Sequence, residues 1–125
     1  MQLQLERQYE ATCSPGFRFR IKRISLARRL AFLADNHELM QKLKFLSSDP
    51  NPAGPLRSEI AQLEVALGRQ LLSECLVALG HSEELLPADQ NRIDWLLHEA
   101  PAELCVEVLS RISDDISLSE QRRKN

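Results

Sequence analysis

The chain has 125 residues, enough for one domain with a single core. Hydrophobic residues make up 43% of it and charged residues 27%, close to the averages of globular proteins, which argues against a fully disordered, fibrous or membrane-spanning chain. The formal net charge of −2 hides an uneven distribution. Arg18, Arg20, Lys22, Arg23, Arg28 and Arg29 lie between Phe17 and Ala34 with no acid among them, whereas from Glu74 to Glu120 acids far outnumber the two cations Arg92 and Arg111.

Met1 to Leu5 and Phe17 to Lys22 both alternate apolar with polar residues, the signature of a half-buried strand. Between them Thr12-Cys13-Ser14-Pro15-Gly16 has turn composition. A two-stranded ribbon over residues 1–24 follows, with Phe17, Phe19 and Ile21 turned to the core and the basic side chains displayed outward. No apolar run near the start resembles a signal peptide, since Glu6, Arg7 and Glu10 interrupt it. No uninterrupted apolar stretch approaches the roughly 18 residues that a membrane span needs. The expectation is a cytoplasmic protein with no membrane partner.

Ser25 suits the N-cap of a helix running to about Ser47. Leu26, Leu30 and Leu33 form one apolar stripe, and Leu39, Leu43 and Leu46 a second, slightly out of register with the first. Asp35-Asn36-His37 between them marks a kink or break. The proline-rich stretch from Asp49 to Pro55 is a connector, because prolines remove amide donors and push preceding residues into extended conformations. Pro55 then opens a second helix, striped by Leu56, Ile60, Leu63, Leu67 and Leu71 and expected to end at Gly80. Together the two give a long antiparallel helical hairpin over residues 25–80.

Residues 81–113 read as short helices. One carries Ile93, Trp95, Leu96 and Leu97; another starts at Pro101 and carries Leu104, Cys105, Val108, Leu109 and Ile112. The polar end, residues 114–125, is expected to fray or form a final turn. The fold class is therefore mainly α, a small α+β domain of a helical hairpin, an N-terminal ribbon, and two or three short C-terminal helices.

Chemistry is sparse. Cys13, Cys75 and Cys105 are odd in number and far apart, a poor match to a disulfide framework, and are expected as reduced thiols. There is no Cys-x-x-Cys or His-x-x-x-His, and His37, His81 and His98 are isolated from one another, so no metal and no cofactor is expected. Neither a Gly-x-Ser-x-Gly elbow nor a glycine-rich phosphate loop occurs. Neighbouring acids such as Glu83-Glu84 and Asp114-Asp115 do not face each other on a helix and make no catalytic dyad. No enzyme is expected.

The surface most suggestive of function is the basic run, comprising Arg18, Arg20 and Lys22 on one strand face, Arg23 beyond it, and Arg28 and Arg29 in the first turn of the next helix. Cations at a helix N-terminus oppose the dipole, which points to an acidic group nearby. That group is either the acidic C-terminal half in cis or a protein partner. Phosphate backbones attract the same pattern, so nucleic acid stands as the alternative. Trp95 either anchors its helix on the core or serves as an exposed interface anchor. The leucine stripes exceed what one small hairpin hides, so docking of a partner helix or a homo-oligomer is also on the list.

Three stretches together resemble a set of small proteins encoded among the tail genes of bacteriophages and prophages. They are Phe17-Arg18-Phe19-Arg20-Ile21-Lys22-Arg23-Ile24-Ser25 followed by Arg28-Arg29-Leu30, then Ile93-Asp94-Trp95-Leu96-Leu97-His98-Glu99-Ala100-Pro101-Ala102-Glu103-Leu104-Cys105, and the closing Leu118-Ser119-Glu120-Gln121-Arg122-Arg123-Lys124-Asn125. They span about half the chain. In that group an Asp-Gly turn commonly leads into a proline ahead of the tryptophan helix; here Ser82 to Pro87 keeps the proline without a glycine. The resemblance implies a non-enzymatic role in tail structure or assembly, by contact with other tail components, in the bacterial host cytoplasm or within the virion.

Overall fold

The structure is a computed structural model that describes residues 6–51, 53–81 and 83–124, with side chains described as far as Asp114. It is mainly helical with one antiparallel sheet. Strands β1 (Glu6–Glu10), β2 (Arg18–Lys22), β3 (Leu76–Gly80) and β4 (Leu86–Pro87) lie side by side in chain order, every neighbouring pair antiparallel. Helices α1 (Leu26–Asp35), α2 (His37–Leu46) and α3 (Gly54–Cys75) form the connection between β2 and β3, and α4 (Gln90–His98) and α5 (Ala102–Lys124) follow the sheet.

The expected two-stranded ribbon is therefore one half of a four-stranded sheet. The alternation read at Met1 to Leu5 lies outside the described residues; the strand that pairs with β2 is Glu6–Glu10, in the register Glu6↔Lys22, Gln8↔Arg20 and Glu10↔Arg18. The turn falls where its composition placed it. Ala11 N–H donates to the Phe17 carbonyl (2.8 Å) and Phe17 N–H to that of Ser14 (3.0 Å), and Gly16 takes φ 91°, a left-handed conformation that costs glycine little.

The helix expected to run from Pro55 to Leu79 stops at Cys75. Leu76 turns to φ −80°, ψ 124° and the chain enters β3 directly. Leu79 pairs with Phe19, and Gly80, expected to terminate the helix, closes the strand opposite Arg18. The first helical stretch does break at Asn36, within the Asp35-Asn36-His37 patch that marks a kink or break in the sequence, and so forms α1 and α2. Asn36 Nδ2 donates to the Phe32 carbonyl (2.9 Å) at that break. At the other end of the chain the backbone of α5 continues through Lys124 in place of a frayed end.

Three helix starts follow the local chemistry of their sequence. The Ser25 hydroxyl accepts from Arg28 N–H (3.2 Å) and the Asp89 carboxylate from Arg92 N–H (2.9 Å), filling amides that lack an intrahelical partner. Pro55 occupies the first turn of α3, where a missing amide costs nothing.

The core lies on one face of the sheet. Phe17, Phe19 and Ile21 from the β2 segment join Leu76 and Leu79 of β3, and are covered by Leu72 and Cys75 of α3, Ile93 and Leu96 of α4, and Leu104, Val108 and Ile112 of α5. Tyr9 stacks on Phe19 with ring centroids 5.6 Å apart, and the Arg111 guanidinium sits 5.0 Å from the Tyr9 ring centre. Cys75 and Cys105 are buried within this core, neither of them in a disulfide.

A carboxylate on α5 ties the ribbon to the helical layer. Glu107 accepts from Thr12 N–H (2.8 Å), Thr12 Oγ1 (3.0 Å) and Cys13 N–H (3.2 Å). The Thr12 amide bond leads the interactions that hold the Glu107 carboxyl below its ordinary value. A carboxyl lowered by folding contributes stability above the ordinary carboxylate range, and that contribution is lost as pH falls through its folded pKa. Glu107→Gln is expected to cost about 1 kcal/mol at neutral pH. The gap to the unsubstituted chain should close on acidification, a trend that urea titrations at a series of pH values would measure.

Candidate functional site

The basic strand residues emerge where alternation placed them, on the sheet face opposite the core, but their charge is largely met within the ribbon. Arg18 pairs with Glu10 (3.6 Å), and Arg20 reaches Glu6 (3.9 Å) and the Gln8 side-chain oxygen (3.1 Å). Among the described residues the acids that answer this strand come from β1, in cross-strand register. Lys22 and Arg23 are exposed and lack an ion-pair partner among the described residues.

Arg28 stands elsewhere. Its Nε and Nη2 each lie 2.8 Å from a carboxylate oxygen of Glu74 on α3, a bidentate clamp in which the Glu74 side chain is only 18% exposed. The cation at the start of α1 thus has the acidic neighbour its position called for, supplied in cis by the first acid of the C-terminal half. Arg29, next in the chain, is half-buried.

Trp95 belongs to neither group. On α4 its ring stacks against Phe17 at 6.2 Å, on the core side of the sheet, while 36% of the residue stays exposed. It borders a polar cleft with Arg69, Asp94 and His98, where Arg69 is ion-paired to Asp94 and lies 3.2 Å from His98 Nε2. The residues singled out from sequence are therefore not brought together: Arg18, Arg20 and Lys22 lie on the outer sheet face, Arg28 at the α1–α3 junction and Trp95 on the α4 surface.

Among the described residues no three His, Cys, Asp or Glu side chains come together in a metal-holding group. The exposed Cys13 thiol is pushed up by desolvation and by the adjacent Glu107 carboxylate, and burial pushes the Cys105 thiol up; both shifts disfavour the nucleophilic thiolate. Among the described residues no helix is long and apolar enough to cross a membrane.

Helices α1 and α2 leave several large apolar side chains uncovered. Neither α1 nor α2 contains a buried residue. The side of α1 that carries Arg28 and Asp35 faces α3: with Ala31 and Phe32 they line a cavity of about 270 Å³ shared with Gln70 and Glu74, across which Arg28 clamps Glu74. The opposite stripe points away, leaving Leu26 46%, Leu30 56% and Leu33 37% exposed. Leu33 leads into a shallow groove of about 580 Å³, floored also by Met40, Leu43 and Leu67. Sequence periodicity finds these leucines but cannot say which stripe the fold covers.

Comparisons with protein-family models, with curated proteins and with solved structures return no match for this chain.

Proposed function

We propose that this chain is a non-enzymatic interaction protein that works by protein–protein contact as an accessory of phage or prophage tail structure or assembly, in the bacterial host cytoplasm or the virion. The observation that carries the contact reading is the outward leucine stripe of α1. A helix that faces α3 with the side carrying Arg28 and Asp35 and presents three leucines to solvent has the form of a helix-in-groove partner. In this reading α1 and α2 fold back along α3 as a helical hairpin, supported by Arg28–Glu74 at one end and Lys42–Glu59 (3.2 Å) at the other. The tail assignment rests on the three stretches of sequence that resemble tail-cluster proteins.

Ion pairing on the ribbon favours protein over nucleic acid. A phosphate backbone recruits cations that are otherwise solvated, whereas Arg18 and Arg20 already face carboxylates. The test is recovery of the tagged chain from an induced lysogen. Identified tail components should accompany it and be lost with Leu26→Glu/Leu30→Glu, a double substitution confined to exposed positions. A chain that brings down no tail protein would defeat the assembly reading. Filter binding that is strong at low salt and falls steeply with added salt would favour a nucleic-acid regulator instead.

A further inference from the structure

Helix α2 carries the most exposed large apolar residue described, Phe45, at 77%. Its Leu39, Leu43 and Leu46 turn toward α3 and are half-buried. At 100° per residue, Phe45 stands about 140° around the helix from Met40. Phe45 thus projects from one edge of α2, while Met40 and Lys44 line the groove along the other.

The two edges differ in charge as well as shape. The groove edge carries Lys44 and His37, and no Asp or Glu lines the groove. The Phe45 edge carries Glu38 two turns earlier, and Lys42 beside it is already engaged by Glu59 of α3 at 3.2 Å. One edge therefore offers an aromatic knob and a carboxylate, and the other an apolar hollow rimmed by bases.

We propose that the chain self-associates as a two-fold dimer in which Phe45 of each copy seats in the groove of the other. When two helices lie parallel about a two-fold axis, opposite edges meet, as the e and g positions do in a parallel coiled coil. With an axis along α2, the Phe45 ring of one copy stands level with the stretch of groove between Met40 and Ser47 of the other, and Glu38 beside His37. The match is reciprocal and closed, since each copy supplies one knob and one hollow, so it stops at two chains. A groove of about 580 Å³ falls in the range that holds groups larger than a phenyl ring. Leu33 lines this groove, but Leu26 and Leu30, the residues that the pull-down substitutes, do not, so failure of the dimer and failure of the tail reading are distinguishable.

Sedimentation equilibrium of the full chain between 1 and about 200 µM tests it; micromolar dissociation is the scale on which a small interface of this kind operates. The unsubstituted chain should be dimeric in the upper part of that range. Phe45→Ala and, separately, Met40→Glu should each weaken dimerisation at least tenfold, and Phe45→Trp should retain it. Circular dichroism would show Phe45→Ala folded, as expected for a side chain that packs on little. A chain monomeric throughout overturns the proposal, and so does a dimer that Phe45→Ala leaves as tight as before.

Discussion

Phe19→Ala is expected to cost about 3–5 kcal/mol, the range for truncating a fully buried aromatic, and so to consume a large share of the 5–15 kcal/mol that holds a typical domain folded. Phe19 is completely buried, at 0% exposure. It sits in the centre of the sheet, flanked by Tyr9 on β1 and Leu79 on β3 in matching register. Its ring stacks on Tyr9 at 5.6 Å, and the same core cluster includes residues of α3, α4 and α5. Truncation leaves a void that two strands and a helical layer must all move to fill, and interiors packed at crystal density do not collapse freely. Urea unfolding followed by the fluorescence of Trp95, the single tryptophan, is the measurement. Its ring stacks on Phe17 in the same core and reports its loss. Phe45→Ala, at an exposed position, provides the comparison and should stay within about 0.5 kcal/mol of the parent. A Phe19→Ala midpoint as close to the parent as that of Phe45→Ala would mean that the sheet is not the centre of the core.

The contrast between those two phenylalanines shows what the sequence made legible. Phe19 sits in a period-2 pattern with Phe17 and Ile21, so its burial follows from alternation alone. Phe45 belongs to a helix whose leucines form a half-buried stripe, and periodicity does not say that the phenylalanine lies off it. The strand β1 was hidden for a related reason. Glu6-Arg7-Gln8-Tyr9-Glu10 has one apolar residue, because an edge strand is held by cross-strand ion pairs on one face and by a single ring on the other. The strand β3 was hidden by the opposite property: Leu76-Val77-Ala78-Leu79 is apolar throughout, as a central strand is, and such a run following a leucine-striped helix continues that helix equally well on paper. Only the pairing with β2 decides between them. The clamp of Glu107 on Thr12 and Cys13 joins residues about 95 positions apart, a relation that no local pattern encodes. The basic run was visible in full, but its cross-strand acids were not, because they belong to the strand that was missed.

Gly68 is expected to respond to two substitutions with opposite signs. It is buried in the interior of α3, with helical backbone and no positive φ, where glycine costs up to about 1 kcal/mol relative to alanine through the freedom it loses on folding. A Cβ at this position would meet Leu109 Cδ1 at 3.4 Å and Leu97 Cδ2 at 3.6 Å, contacts at the near edge of van der Waals packing with the mobile ends of two leucines. Gly68→Ala should therefore stabilise the chain by about 0.5–1 kcal/mol and raise Tm by roughly 2–5 °C for a domain of this size. Gly68→Leu adds three more carbons toward α4 and α5, where no comparable space exists, and should destabilise by about 1–3 kcal/mol or more through overpacking. Thermal unfolding of both variants makes the measurement. If alanine destabilised as strongly as leucine, the glycine would be serving a closer helix approach than the 3.4 Å contact indicates. If leucine were tolerated, α3 would not be seated firmly on α4 and α5. That seating matters beyond stability. Helix α3 bears the core on one side and Glu74, Leu67 and Glu59 on the other, so the position of α1 and α2, and with them Leu26, Leu30, Leu33 and Phe45, is set by how closely α3 packs at Gly68.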